Sequence, residues 1–152
     1  MRFMGLDYGD KNIGVAISDE LGIIAHGLEV IKKKCASKFD FEIKKIIEFV
    51  NEYKVSKIIL GLPKKLDNNI GRQAEKTLVF KDCLNKNLCN CNSGIEILFW
   101  DERLSSKFME RNLYFLGLNS RKQKKVIDKM SAVFILQGYL DYINNKSDGD
   151  DL

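Results

Sequence analysis

The period of apolar positions changes partway along the chain, dividing it into a strand-rich start and a remainder that alternates helices with strands. Residues 2–7 (RFMGLD) and 13–18 (IGVAIS) read as two strands joined by a polar, glycine-bearing turn at 8–12. A third apolar stretch, GIIAHGLEVI at 22–31, follows the turn signal Asp19–Glu20. Connections this short pair neighbouring strands antiparallel, so the three form a meander. The spacing then becomes helical. Phe39, Ile43, Ile46, Ile47, Val50 and Tyr53 share one face, with Ser37 and Asp40 set as a capping box at its start. KIILGLP at 57–63 is a continuous apolar run closed by the only proline, as a buried parallel strand reads. A polar helix over 70–86 and a second buried strand, EILFW at 96–100, come next. Two helices, over 104–115 and 121–144, complete the series; the last carries an apolar stripe from Val126, Ile127 and Met130 to Val133 and Phe134.

A meander followed by two strand–helix crossovers makes an α/β fold: a five-stranded mixed sheet with helices on both faces. Right-handed crossovers set the fourth strand beside the first, which predicts the order 3-2-1-4-5. The switch point then falls between strands 1 and 4, where the carboxyl ends of strands 1, 4 and 5 converge. One domain over 1–145 and a flexible acidic tail over 146–152 are expected.

Candidate chemistry collects at those strand ends. Asp7 ends the first strand within DYGDKNIG, Asp101 and Glu102 end the fifth within WDERLSS, and Asp128 lies in the last helix. Ser131 and Ala132, one turn on, are small enough for that helix to approach the sheet closely. Carboxylates gathered from distant segments repel one another unless a counter-charge joins them, and their hard oxygens suit Mg²⁺ or Mn²⁺. Two such ions can activate a water and stabilise the leaving oxygen of a phosphodiester. Each acid also has a plainer reading. Asp7 can organise the glycine turn, Asp101 or Glu102 can cap a helix or pair with Arg103, and Asp128 can be a solvated neighbour of Lys124, Lys125 and Lys129. Their convergence on one cleft favours the site. Lys11 in the first turn, and Lys64, Lys65 and Arg72 in GLPKKLDNNIGRQAE at 61–75, are candidate phosphate contacts; an ordinary strand-to-helix loop is the alternative for the latter segment.

Composition narrows the picture further. Hydrophobic residues are 45% and charged residues 30% of 152, an ordinary balance for one compact domain. No run approaches the roughly 18 apolar residues of a membrane helix, and Met1–Asp7 leads straight into a strand rather than a signal peptide, so a cytoplasmic location is expected. Cys83, Cys89 and Cys91 lack a zinc-ribbon spacing and read as reduced thiols around a loop. His26 is the only histidine, which disfavours a histidine-based triad and suits a packing or strand-end role. The net charge of +4 is uneven, because Asp148, Asp150 and Asp151 sit in the tail while Lys32–Lys34, Lys64–Lys65 and Arg121–Lys125 cluster on the body. Three basic clusters on one small body favour a polyanionic partner such as nucleic acid.

Four motifs, LDYGDKNIGVAISD at 6–19, GLPKKLDNNIGRQAE at 61–75, DERLSS at 101–106 and VIDKMSAVFILQGYLD at 126–141, together resemble the YqgF/RuvX family. Its members are described as pre-16S rRNA nucleases or Holliday-junction-resolvase-like proteins, and the resemblance covers about Arg2 to Tyr142. It implies a ribonuclease H-like fold, with metal on Asp7, on one acid of the Asp101–Glu102 pair and on Asp128. Strand alternation sends Asp101 and Glu102 to opposite sides, and Glu102 is the preferred ligand, with Asp101 supporting the turn. Arg103 is then a contact to the scissile phosphate or a partner of Asp101. Ser105 and Ser106 stand where the family has threonines, and Asn68 where it has glycine; the hydroxyls and the turn survive these changes. The activity implied is metal-dependent hydrolysis of structured RNA, at the 5′ end of pre-16S rRNA, by a monomer or homodimer that also meets ribosomal particles. The alternatives are a resolvase of branched DNA, a non-catalytic nucleic-acid or ribosome-binding factor and, least favoured, an actin-like ATPase.

Overall fold

The computed structural model describes residues 1–34, 38–62, 71–91, 94–101 and 120–150, with the backbone alone for 120–129 and 147–150. The elements are β1 (Arg2–Tyr8), β2 (Asn12–Ser18), β3 (Ala25–Lys32), α1 (Asp40–Tyr53), β4 (Val55–Leu62), α2 (Arg72–Asn90), β5 (Glu96–Asp101) and α3 (Ser120–Asp150). The expected helix over 104–115 lies outside the described residues. The five strands form one sheet in the order β3-β2-β1-β4-β5, as the short meander and the crossovers require. β1 pairs antiparallel with β2 and parallel with β4, and β4 pairs parallel with β5.

Alternation along the strands feeds two cores. Met4, Leu6 and Tyr8 of β1, Ile13, Val15 and Ile17 of β2, Ile58 and Leu60 of β4 and Ile97 of β5 face α1 and α2, meeting Ile43, Ile46 and Val50 of α1 and Phe80, Leu84 and Leu88 of α2. Phe3, Ala16, Ala25 and Ile59 face the other way, onto Ala132, Ile135, Leu136 and Leu140 of α3. Helices therefore cover both faces of the sheet. The α3 side uses small residues where the helix comes nearest. A Cβ at Gly5 would stand 2.7 Å from the Leu136 Cβ and 2.8 Å from the Ala132 carbonyl oxygen.

Several local expectations change. β3 begins at Ala25 rather than at residue 22, because Asp19 turns the chain first: its carboxylate accepts from the amides of Ile23 (2.8 Å) and Ile24 (3.2 Å), and Gly22 takes a left-handed φ of +69°. Leu21, Ile23 and Ile24 are consequently exposed. α1 starts after Phe39 with no side-chain cap; Ser37 of the expected capping box is outside the described residues. Glu42, buried in its first turn, instead accepts from the Lys34 amide at 2.8 Å and ties the incoming chain to the helix. Cys83 and Cys89 are not in a loop. α2 continues four residues past 86 because Phe80, Leu84 and Leu88 keep a helical stripe buried, and the described cysteines are free thiols on its last turns and at Cys91. The backbone of α3 stays helical through residue 150, beyond the expected start of the tail. His26 is an exposed residue of β3, paired with Ile17.

Two measurements check these constraints. Gly5→Ala forces the helix off the sheet or strains both, and an unfolding free energy lower by about 1–3 kcal/mol is expected from denaturant titration. The amide hydrogen bond from Ile23, ahead of that from Ile24, holds the Asp19 carboxyl below its ordinary value, outweighing the opposing effect of burial. A carboxyl with a depressed folded-state pKa stabilises fully above its unfolded value, near pH 4, and loses that stabilisation as pH falls through the lower folded value. The stability difference between wild type and Asp19→Ala should thus be greatest at neutral pH and shrink progressively below about pH 4.

Candidate functional site at the carboxyl end of the sheet

Asp7 sits one residue before the end of β1, half-buried, on the α3 face, since its neighbours Leu6 and Tyr8 point to the other core. Its partner across β2 is Gly14, and one step beyond the Leu6–Leu60 pairing its neighbour on β4 is Gly61, itself paired with Trp100 of β5. Neither glycine has a side chain to compete with Asp7 for room above the sheet. A carboxylate placed there fits a hard cation together with a phosphate oxygen.

α3 leads toward that point. Tyr139 packs edge-on against Phe3, while Ala132 and Leu136 press on Gly5. The helix therefore runs antiparallel to β1, and its amino-terminal half advances toward the carboxyl end of the strand. One further turn, a rise of about 6 Å, reaches position 128, and β1 climbs nearly the same distance from Gly5 to Asp7. The backbone thus carries residue 128 on the same helical stripe as Ala132 and toward the level of Asp7. The closeness that Ser131 and Ala132 predicted is present at Ala132, which is fully buried. Gln137 and Asn144 anchor the helix to the β2–β3 turn. Gln137 accepts from the Ala25 amide (2.9 Å) and donates to the Ile23 carbonyl (2.8 Å), and Asn144 donates to the Gly22 carbonyl (3.2 Å).

Asp101 lies elsewhere. Phe99 packs with the α1/α2 core and Trp100 with the α3 core, so the alternation of β5 puts position 101 on the face opposite Asp7. It is not brought to the Asp7 side. Glu102, Arg103, Lys64 and Lys65 lie outside the described residues, as does the side chain of Asp128. Among the described residues, no three histidine, cysteine, aspartate or glutamate side chains group closely enough to hold a metal.

On the α1/α2 face, the residue after Asp7 is held from several directions. Tyr8 stacks on Phe80 at 4.6 Å between ring centroids and meets Phe39 edge-on, while Lys33 donates to its hydroxyl at 2.8 Å. Gln73, in the first turn of α2, donates to the Tyr8 carbonyl at 2.9 Å. Arg72, just before it, is exposed, and Lys11 is exposed in the β1–β2 turn. Gln73 is therefore a positioning residue for the Tyr8–Gly9 peptide, one residue beyond Asp7. An amide in a polar helix carries no distinctive signal in the sequence, and nothing there marks Lys33 within the basic run Lys32–Lys34. Gln73→Ala should leave the Tyr8 carbonyl without this donor and lower stability by about 1 kcal/mol in thermal or denaturant unfolding.

Known proteins resemble this arrangement over nearly its whole length. The model of the RuvX family, described as Holliday junction resolvase, matches residues 1–142. A protein of Agathobacter rectalis is 43% identical over 145 residues, covering 95% of this chain and 98% of its own. One from Clostridium tetani is 46% identical, covering 96% and 100%, and one from Halothermothrix orenii is 48% identical, covering 95% and 97%. All three carry the name "Putative pre-16S rRNA nuclease". Among solved structures, Thermus thermophilus RuvC in complex with a Holliday junction aligns with a TM-score of 0.52 at 13% identity, covering 89% of this chain and 91% of its own. The yeast mitochondrial Holliday junction resolvase Ydc2 gives 0.52 at 13%, covering 94% and 81%. These distant likenesses bear on the fold, which is ribonuclease H-like, as the strand order and the motifs predicted. The chain belongs to the RuvX family of Holliday-junction-resolvase-like nucleases.

Proposed function

We propose that this chain is a metal-dependent endonuclease of the cytoplasm that hydrolyses phosphodiester bonds of structured RNA, trimming the 5′ end of pre-16S rRNA during ribosome assembly. The observation that carries the reading is Asp7: a half-buried carboxylate at the carboxyl end of the central strand, with glycines as its neighbours on the strands to either side and with α3 closing onto its face. The names of the relatives supply the RNA substrate.

Asp7, Glu102 and Asp128 would hold Mg²⁺ or Mn²⁺. Glu102 is preferred to Asp101 because β5 turns position 101 toward the other core. When bound, the cation supplies charge neutralisation and polarisation at the scissile phosphate. The protein's own part is to hold three anionic groups in fixed positions, which their mutual repulsion would otherwise spread apart. The sheet holds the backbone of Asp7, and the Gln73 hydrogen bond to the Tyr8 carbonyl restrains the end of the same strand. Lys11, Lys64, Lys65, Arg72 and Arg103 would then contact substrate phosphates, setting register rather than sequence preference. No helix of the described residues is long and apolar enough to cross a membrane.

A second reading rests on the family's own description as Holliday junction resolvase. Cutting a branched DNA junction symmetrically would require a homodimer. Both readings are tested by incubating wild type and Asp7→Asn with a pre-16S 5′-end RNA and with a four-way DNA junction, in Mg²⁺, Mn²⁺ or EDTA. RNA cleavage that needs metal and falls on the order of 100-fold or more in Asp7→Asn, with RNA binding retained, is the expected result. Cleavage of the junction alone transfers the protein to the resolvase reading. Binding without cleavage of either substrate would make it a nucleic-acid or ribosome-binding factor.

A further inference from the structure

Behind Asp7, on the opposite face of β1 but at the same end, lies a cavity of about 490 Å³ lined by Tyr8, Asp10, Lys11, Lys33, Lys76 and Val79, with Phe39 at its side. That volume falls within the range of small-ligand pockets, about 300–1,000 Å³. Among the described residues, its charged lining is three lysines against one aspartate.

Lys33 is the central group. Its ammonium is half-buried and held by neutral acceptors, the Tyr8 hydroxyl at 2.8 Å and the Gly9 carbonyl at 3.3 Å, and it lies 4.3 Å from the centre of the Tyr8 ring. Among the described residues no carboxylate comes within 4.0 Å of it, whereas Lys45, Lys57 and Lys76 each have one. Tyr8 cannot swing away, because Phe80 and Phe39 pack its ring. The chain is fixed too, since the Lys33 amide donates to the Lys11 carbonyl at 2.9 Å. An ammonium that is partly desolvated, immobilised and not neutralised costs less to pair with an anion than a free surface lysine, which must first lose its side-chain entropy. Lys11 and Lys76 stand at the rim. Lys76 is paired to Asp10 at 3.1 Å, an exposed bond worth little and easily exchanged for a second phosphate oxygen. Phe39 and Val79 give the cavity an apolar side against which a sugar or base edge can rest.

We infer that this cavity is a phosphate site centred on Lys33, separate from the Asp7 centre, that takes the phosphate of a nucleotide. The strand in question would be the nuclease's own substrate passing over the β1–β2 turn, so in this form the inference rests on the reading above. A free mononucleotide has the same chemistry and is the other source.

The test measures binding of a short single-stranded RNA by fluorescence anisotropy across a salt series, in an Asp7→Asn background so that cleavage plays no part. Lys33→Gln keeps a donor for the Tyr8 hydroxyl and removes the charge; Lys33→Arg keeps the charge. Lys33→Gln should weaken binding about tenfold at low salt and reduce the slope of log K against log salt by about 0.7, the share of one phosphate contact on a single strand. Lys33→Arg should retain most of both. Adenosine monophosphate is titrated in parallel. If it binds wild type but not Lys33→Gln, while RNA affinity and slope are equal in both, the site stands and its ligand is the free nucleotide. Equal RNA slope and equal nucleotide affinity in wild type and Lys33→Gln would overturn the site. Should Lys33→Gln fail to fold by thermal melting, the rim variant Lys76→Gln takes its place: a reduced slope or a lost nucleotide affinity supports the site, and no change in either overturns it. If wild type cleaves neither substrate, the nuclease reading falls, while a slope or nucleotide affinity lowered by Lys33→Gln still supports the site and equal values still overturn it.

Discussion

The contact of α3 on β1 at Gly5 organises the rest of the molecule. A strand residue with any side chain there would meet the Ala132 carbonyl and the Leu136 side chain, so the distance between helix and sheet is set by the absence of one Cβ. That distance decides how far the amino-terminal part of α3 descends toward the end of β1. It therefore decides whether an acid on this helix and an acid on the strand can share a ligand. Anchors at the far end of the helix, from Gln137 and Asn144 to the β2–β3 turn, stop the helix from sliding along the strand. The asymmetry of the two faces follows. The α1/α2 side is built from large aliphatic and aromatic residues. The α3 side uses Gly5, Ala16 and Ala25 and is brought in close.

Much of this was legible in the chain. Strand order followed from loop length and crossover handedness, since two short connections leave an antiparallel meander as the simple solution, and two right-handed helical crossovers place β4 beside β1. Asp7 could be placed at a strand end because the polar turn after it is unambiguous. The period of two separates Asp101 from Glu102 without saying which of them shares a face with Asp7; the packing of Phe99 and Trp100 puts Asp101 on the opposite face.

What was not legible has definite physical reasons. The late start of β3 depends on one carboxylate capturing two amides, and an apolar run gives no sign that its first residues are bent outward. The cysteines looked like loop residues because the polar positions between them hide a stripe of three, Phe80, Leu84 and Leu88, whose burial depends on the sheet being present. Lys33 is the clearest case. Within Lys32–Lys34 nothing distinguishes it, yet only its side chain meets Tyr8, because its position just after β3 faces the aromatic cluster, while Lys34 lies over Phe41.

Tyr8 and Asp7 are adjacent and face opposite ways, and this couples the two sides of the sheet. A strand residue cannot shift without moving its neighbour, so every contact on Tyr8, from Phe80, Phe39, Lys33 and Gln73, also restrains the backbone that carries Asp7. A carboxylate that must keep its position beside other anions needs such restraint, since repulsion acts to displace it. The packed aromatic cluster therefore serves the acid although it never touches it. An anion drawn to Lys33 would load the same strand from behind, at a point one peptide away from the proposed chemistry. Substrate held there would be held by the element that positions Asp7, and binding and positioning would act through one strand end.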